Sequence, residues 1–221
     1  MKLFLDTANF KEIEEINSWG VLDGVTTNPT LLAKEANGQK DYKQMLKEIC
    51  AEVDGPVSAE VVSTDTEGML REARDLVQIA DNIYVKFPCI APGLAACKAA
   101  RADGIRVNMT LVFSPAQALL AAKAGANFIS PFLGRIDDVA SDGMDILAQC
   151  IEIVKNYNFS SEVLASSLRG PMHVVEAARL GSDIATMPHS VFAQLVKHPL
   201  TDLGLKRFLD DWEKARKDLG A

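Results

Sequence analysis

What repeats along this chain is a pattern, not a set of residues. Short apolar runs alternate with longer amphipathic segments along the whole length. The runs fall at residues 2–5, 24–26, 57–61, 83–87, 105–109, 127–130, 162–165 and 183–187, and the segments between them, such as 67–79 and 115–124, carry helical periodicity. Strand–helix alternation implies parallel strands joined by crossover helices. Eight repeats predict a closed (β/α)8 barrel (a TIM barrel, class α/β) instead of an open sheet, and 221 residues lies near the short end for that fold. No linker, low-complexity tract or charge block divides residues 1–221, so the chain reads as one barrel domain.

Helix punctuation agrees with this reading. Thr66 and Glu67 open one helix, Ser114-Pro115 supplies an N-cap followed by proline, and Gly104 and Gly125 end helices ahead of the next strands. After the eighth run come Pro188 and a helix near 190–197. A further C-terminal helix over 203–219 exceeds the basic repeat.

Charge and cysteine content exclude several classes. The net charge of −7 argues against a nucleic-acid or anionic-membrane surface, which needs clustered Lys and Arg. It does not exclude a small anion, since one or two placed arginines hold a phosphate. Cys50, Cys89, Cys97 and Cys150 form no C-x-x-C pair and read as reduced thiols, and the three histidines lack zinc-site spacing. No metal is expected. The N-terminal apolar run is too short for a signal peptide and no transmembrane stretch follows, so the expected location is the cytoplasm.

A barrel of this kind places its chemistry at the C-terminal ends of its strands. Polar residues sit at seven successive strand ends: Asp6; Thr26, Thr27 and Asn28; Glu60; Lys86; Asn108 and Thr110; Ser130 and Arg135; Ser166, Ser167 and Arg169. Each alone suits strand-end capping or a surface ion pair. Together they suit one site.

Lys86 stands out because it lies inside Ile83-Tyr84-Val85-Lys86-Phe87-Pro88. Lysine is almost never buried unpaired. It is either a structural partner of Glu60 or Asp6, or an amine that desolvation and neighbouring charge prepare to attack a carbonyl. Asp6, Glu60 and Thr110 supply groups that move protons, directly or through a water held between Glu60 and Thr110. Arg135, Ser167 and Arg169 suit a phosphate monoester.

The chain resembles the small transaldolases and the related fructose-6-phosphate aldolases along essentially its whole length. The resemblance is carried by Leu3-Phe4-Leu5-Asp6-Thr7, Gly24-Val25-Thr26-Thr27-Asn28-Pro29, the Lys86 strand, Val107-Asn108-Met109-Thr110, Ile129-Ser130-Pro131-Phe132-Leu133-Gly134-Arg135 and Ala165-Ser166-Ser167-Leu168-Arg169. It implies a Schiff base on Lys86 and proton transfer by Asp6, Glu60 and Thr110. It implies substrate contacts from Asn28, Asn108 and Ser130, and phosphate contacts from Arg135, Ser167 and Arg169. The implied activity is transfer of a dihydroxyacetone unit from sedoheptulose 7-phosphate or fructose 6-phosphate to an aldose phosphate, in the pentose phosphate pathway. No cofactor is implied, because the iminium is itself the electron sink. The aldolase branch carries Gln at the position of Glu60 and Tyr at that of Phe132, so these two residues point to transaldolase over an aldolase releasing free dihydroxyacetone. A non-catalytic sugar-phosphate-binding barrel is the third alternative. The resemblance also implies a homo-oligomer, pentamer or decamer, with the terminal helix reaching onto a neighbour. Leu205, Phe208, Leu209 and Trp212 form an apolar stripe compatible with that, or with packing on the helix's own barrel.

Overall fold

A computed structural model describes residues 1–36, 38 and 41–218. Eight strands run β1 (Lys2–Asp6), β2 (Gly24–Thr26), β3 (Val57–Glu60), β4 (Ile83–Pro88), β5 (Val107–Val112), β6 (Phe128–Pro131), β7 (Glu162–Ala165) and β8 (Ile184–Met187). All pair in parallel with their sequence neighbours, and β8 closes on β1 through Lys2↔Ile184 and Phe4↔Thr186. The expected (β/α)8 barrel with an extra C-terminal helix is therefore the fold.

The helices are α1 (Phe10–Ser18), α2 (Pro29–Ala36), α3 (Tyr42–Glu52), α4 (Thr66–Leu76), α5 (Ala91–Ala102), α6 (Pro115–Ala124), α7 (Leu133–Asp137), α8 (Gly143–Asn156), α9 (Pro171–Leu180), α10 (His189–Phe192) and α11 (Pro199–Asp218). Their starts are local events. Asn9, Asp41, Asp65, Ser114 and Asp142 each accept a backbone N–H in the first turn, and α5, α6 and α9 carry proline there. At α4 the cap is Asp65, not Thr66, whose hydroxyl instead donates to the Pro92 carbonyl. That helix ends at Leu76, earlier than its periodicity suggests. Residues 193–196 form turns instead of extending α10, and α11 starts at Pro199, since proline at a first helical position needs no N–H partner. The expected end of that helix, Leu219, lies outside the described residues.

The strands bury two faces separately. Odd-numbered residues such as Val25, Val57, Val85, Phe87, Val107, Met109 and Met187 belong to the large cluster packed beneath the helices. Even-numbered ones face the barrel axis. There Phe4, Phe128, Leu164 and Ile184 form a second cluster with Tyr84 against it. Phe4 meets Phe128 edge-on across the barrel, and Tyr84 stacks on Phe128 with centroids 4.5 Å apart. Towards the N-terminal opening, Lys2 pairs with Glu162 at 2.7 Å and Arg106 lies over the Tyr84 ring. The apolar plug is thus the floor on which the next inward residues stand, and those are polar.

Candidate active site

One strand step above the plug, the inward positions read Asp6, Thr26, Ser58 and Glu60, Lys86, Asn108 and Thr110, Ser130, Ser166 and Thr186. Most of them line a cavity of about 100 Å³ at the C-terminal mouth, together with Asn28, Phe132, Arg135, Leu164 and Ser167. A larger cavity of about 430 Å³ lies to one side between α2, α3 and α4. It reaches Glu60 but not Lys86, and its wall is mainly apolar.

Lys86 is 5% exposed. Its Nζ lies 3.0 Å from Glu60 Oε2 and donates to the Thr27 carbonyl at 3.0 Å. The contact follows from register, because Glu60 on β3 is the direct partner of Lys86 on β4. A desolvated ammonium is tolerated only with such partners. Four free thiols offer no rival nucleophile. Burial pushes the thiol of Cys50 up to about 11 and those of Cys97 and Cys150 up to about 12, and none lines the mouth.

The other side chains are held in ways that leave particular atoms available. Asn28 Oδ1 accepts the Leu31 N–H at the start of α2, which leaves the amide N–H groups for the mouth. Asn108 is fully buried, and both ends of its amide are bonded: it donates to Ser58 Oγ at 3.1 Å and accepts from Ser130 Oγ at 2.6 Å. Asp6 Oδ1 accepts from Thr26 at 2.7 Å. The Thr110 hydroxyl is buried with no hydrogen-bond partner among the described residues. Beside it, Leu111 has a φ of 56° where β5 bulges against β6.

Across the mouth, the chain after β6 and the chain after β7 are tied together. Leu133 and Gly134 donate backbone N–H groups to the Ser166 and Ser167 carbonyls. Ser167 has a φ of 58°. Arg135 extends over the Phe132 ring at 5.1 Å, and Phe113 meets that ring edge-on. Arg169 is turned away: it pairs with Asp138 at 2.6 Å and is not on the cavity wall.

Of the residues expected from sequence, Lys86, Asp6, Asn28, Asn108, Ser130, Phe132, Arg135 and Ser167 line the mouth. Glu60 touches Lys86, and Thr110 sits one inward position above Asn108. Ser58 and Thr186 are additions. Their signal is parity: Ser58 is two residues from Glu60, which the sequence singles out, and Thr186 is two from Ile184, which the structure shows facing the axis.

Residues 3–219 match the family described as Transaldolase/Fructose-6-phosphate aldolase. This chain belongs to that family. Proteins named "Probable transaldolase" are similar to it throughout: 52% identity with one from Caldicellulosiruptor saccharolyticus, covering 98% of this chain and 99% of the relative, and 55% with one from Thermus thermophilus, covering 98% and 100%. Another, from Aquifex aeolicus, is 55% identical over 97% of each. Family and relatives together support an enzyme of the transaldolase type. Among solved structures, a thiamine phosphate pyrophosphorylase from Pyrococcus furiosus superposes with a TM-score of 0.62 at 16% identity, covering 88% of this chain and 93% of that one, which speaks to the barrel alone. Among the described residues no helix is long and apolar enough to cross a membrane.

Proposed function

We propose that this family member is a transaldolase that carries a dihydroxyacetone unit on Lys86 from a ketose phosphate to an aldose phosphate. The supporting observation is a buried Lys86 whose amine meets one carboxylate, Glu60, while a second, Asp6, shares the mouth without pairing to it. Glu60 takes the ammonium proton and frees the amine to attack C2 of sedoheptulose 7-phosphate or fructose 6-phosphate. Water leaves to give the iminium. The unpaired Thr110 hydroxyl is suited to hold that water against Glu60. Asp6 then accepts the C4 hydroxyl proton as the C3–C4 bond breaks, and the electron pair moves into the iminium to give an enamine. The aldose phosphate departs. The enamine attacks the aldehyde of a second aldose phosphate, Asp6 returns its proton to the new alkoxide, and hydrolysis regenerates Lys86. The protein supplies the whole of this chemistry, so no cofactor takes part.

Arg135 and Ser167, with Arg169 released from Asp138, bind the phosphate. Asn28 and Asn108 hold substrate hydroxyls. The apolar face of Phe132 puts no hydroxyl beside the enamine, which favours waiting for an acceptor over release of dihydroxyacetone. The protein works in the cytoplasm, in the pentose phosphate pathway, as a homo-oligomer (pentamer or decamer). The apolar stripe of α11 supports that assembly, since Leu205, Phe208, Leu209 and Trp212 are all more than half exposed.

Borohydride reduction with fructose 6-phosphate followed by peptide mapping tests the reading. A three-carbon adduct on Lys86 is expected, and an unmodified Lys86 would refute the Schiff base. Dihydroxyacetone release faster than transfer would instead assign the aldolase activity.

A further inference from the structure

The Asp6 carboxylate presents a problem of competition. It shares the mouth with two charged groups, Lys86 on β4 and Arg135 on α7, and Glu60 on β3 reaches Lys86 from the side. A free carboxylate in such a space is drawn onto the ammonium, and the effect is strongest where water is excluded. Yet the carboxylate partner of Lys86 is Glu60. Something holds Asp6 apart.

The holding group is a chain of two hydroxyls. Thr26 Oγ donates to Asp6 Oδ1 at 2.7 Å, and Thr26 Oγ lies 2.7 Å from Thr186 Oγ. Both threonines are buried, at 2% and 4% exposure. The direction of the chain follows from proton count. An ionised carboxylate only accepts, so the single Thr26 proton points to Asp6, and Thr186 must donate to Thr26. Each bond polarises the next. Topology makes this possible: Asp6 is the register partner of Thr26, Phe4 is that of Thr186, and the hydroxyls meet inside the barrel above Phe4, from strands on either side of β1. Thr186 is the far end of the chain and lines the mouth.

We infer that Thr186 is a positioning residue that acts through Thr26, fixing one oxygen of Asp6 and leaving the other for the C4 hydroxyl of the substrate. This rests on the Schiff-base reading above. The step affected is C3–C4 cleavage alone. The C4 O–H proton passes to Asp6, the C3–C4 bond breaks, its electrons reduce the iminium to the enamine, and C4 leaves as an aldehyde. Formation of the iminium on Lys86 does not use the chain.

The test is a single-turnover experiment with fructose 6-phosphate, quenched by borohydride, which reads the six-carbon adduct before cleavage and the three-carbon adduct after it. Thr186→Val keeps the shape and removes the donor. It is expected to form the six-carbon adduct at the wild-type rate and convert it about fivefold more slowly, the worth of one ordinary hydrogen bond. Thr26→Val loses a charge-assisted bond and is expected to slow conversion by about ten- to a hundredfold. Thr186→Ser should restore the wild-type rate, and Thr186→Ala makes the same test if the valine variant does not fold. An unchanged conversion rate in both Thr186→Val and Thr186→Ala overturns the proposal. So does equal slowing of both adducts, or a loss that serine does not rescue. Absence of both adducts from the wild type sinks the Schiff-base reading itself, and the role of Thr186 with it.

Discussion

Gly134→Ala is the most informative single methyl that can be added to this protein. A Cβ at Gly134 would lie 2.2 Å from the Ser167 carbonyl oxygen, 2.4 Å from Arg169 Nε and 2.8 Å from Arg169 Cγ, where ordinary contact begins at 3.4 Å. The arginine can swing aside at little cost, since its ion pair with Asp138 is exposed on both sides. The carbonyl cannot, because it accepts the Gly134 N–H and belongs to a residue at a φ of 58°. The two segments must therefore part by about 1 Å. Overpacking of this kind costs about 1–3 kcal/mol, and the lost hydrogen bond adds about 1 kcal/mol. For a chain of this size the sum lowers Tm by about 4–16 °C. The same segments carry Arg135 and Ser167, and a displacement of about 1 Å in a substrate-positioning group can cost about a hundredfold. Calorimetry and transfer kinetics read the two effects. KM for fructose 6-phosphate should rise by tenfold or more, whereas KM for unphosphorylated fructose should hardly move. A variant with wild-type Tm and wild-type KM would refute the claim that this close approach sets the spacing of the proposed phosphate-binding groups.

Three further outcomes are expected. Thr110→Val removes a hydroxyl that no described residue bonds, so Tm should hold or rise while transfer falls by about a hundredfold; a lower Tm in calorimetry would show that the hydroxyl has a structural partner. Asp138→Asn should leave Tm within about 2 °C and lower KM for sugar phosphates about threefold by freeing Arg169, while a raised KM would mean that Asp138 orients the guanidinium instead. The thiols of Cys97 and Cys150, pushed up to about 12, bind their protons more tightly in the folded chain than in the unfolded one. Their contribution to stability is complete below about pH 9 and is lost as pH climbs towards 12, by about 1.4 kcal/mol per pH unit for each. Replacing both by alanine should flatten the fall in urea midpoint between pH 9 and 11, whatever it does to stability at neutral pH.

The barrel is legible in the sequence because each strand is an apolar run bounded by turn or cap residues, and outside strand 5 its ends move by at most one residue. Strand 5 moves most: Ile105 is apolar and buried yet precedes β5, while Leu111 and Val112 continue the strand past its bulge. Helix α7 has five residues, too few for periodicity to register. Among residues of the site, Lys86, Asp6 and Glu60 announce themselves as charges at the ends of apolar strands. Ser58 and Thr186 do not, since small hydroxyl residues are ordinary within or beside strands, and only their in-phase spacing marks them. The charge of Arg169 is readable, but its partner Asp138, 31 residues away, is fixed by how the chains after β6 and β7 meet.

The bulge in β5 has a consequence for how the mouth can be altered. Asn108 pairs with Phe128 and Met109 with Ile129, but the next pair is Val112 with Pro131, so three steps along β5 match two along β6. The in–out alternation that points Asn108 and Thr110 to the axis is reset at Leu111. Everything beyond it, including the contact of Phe113 with Phe132 over the mouth, belongs to a separately phased piece of backbone. The barrel therefore contains a seam. On one side lie the groups proposed to make and break bonds, on the other the wall that an incoming aldehyde would meet, and residues past the seam are expected to tolerate exchange or insertion without turning Thr110 from the barrel axis.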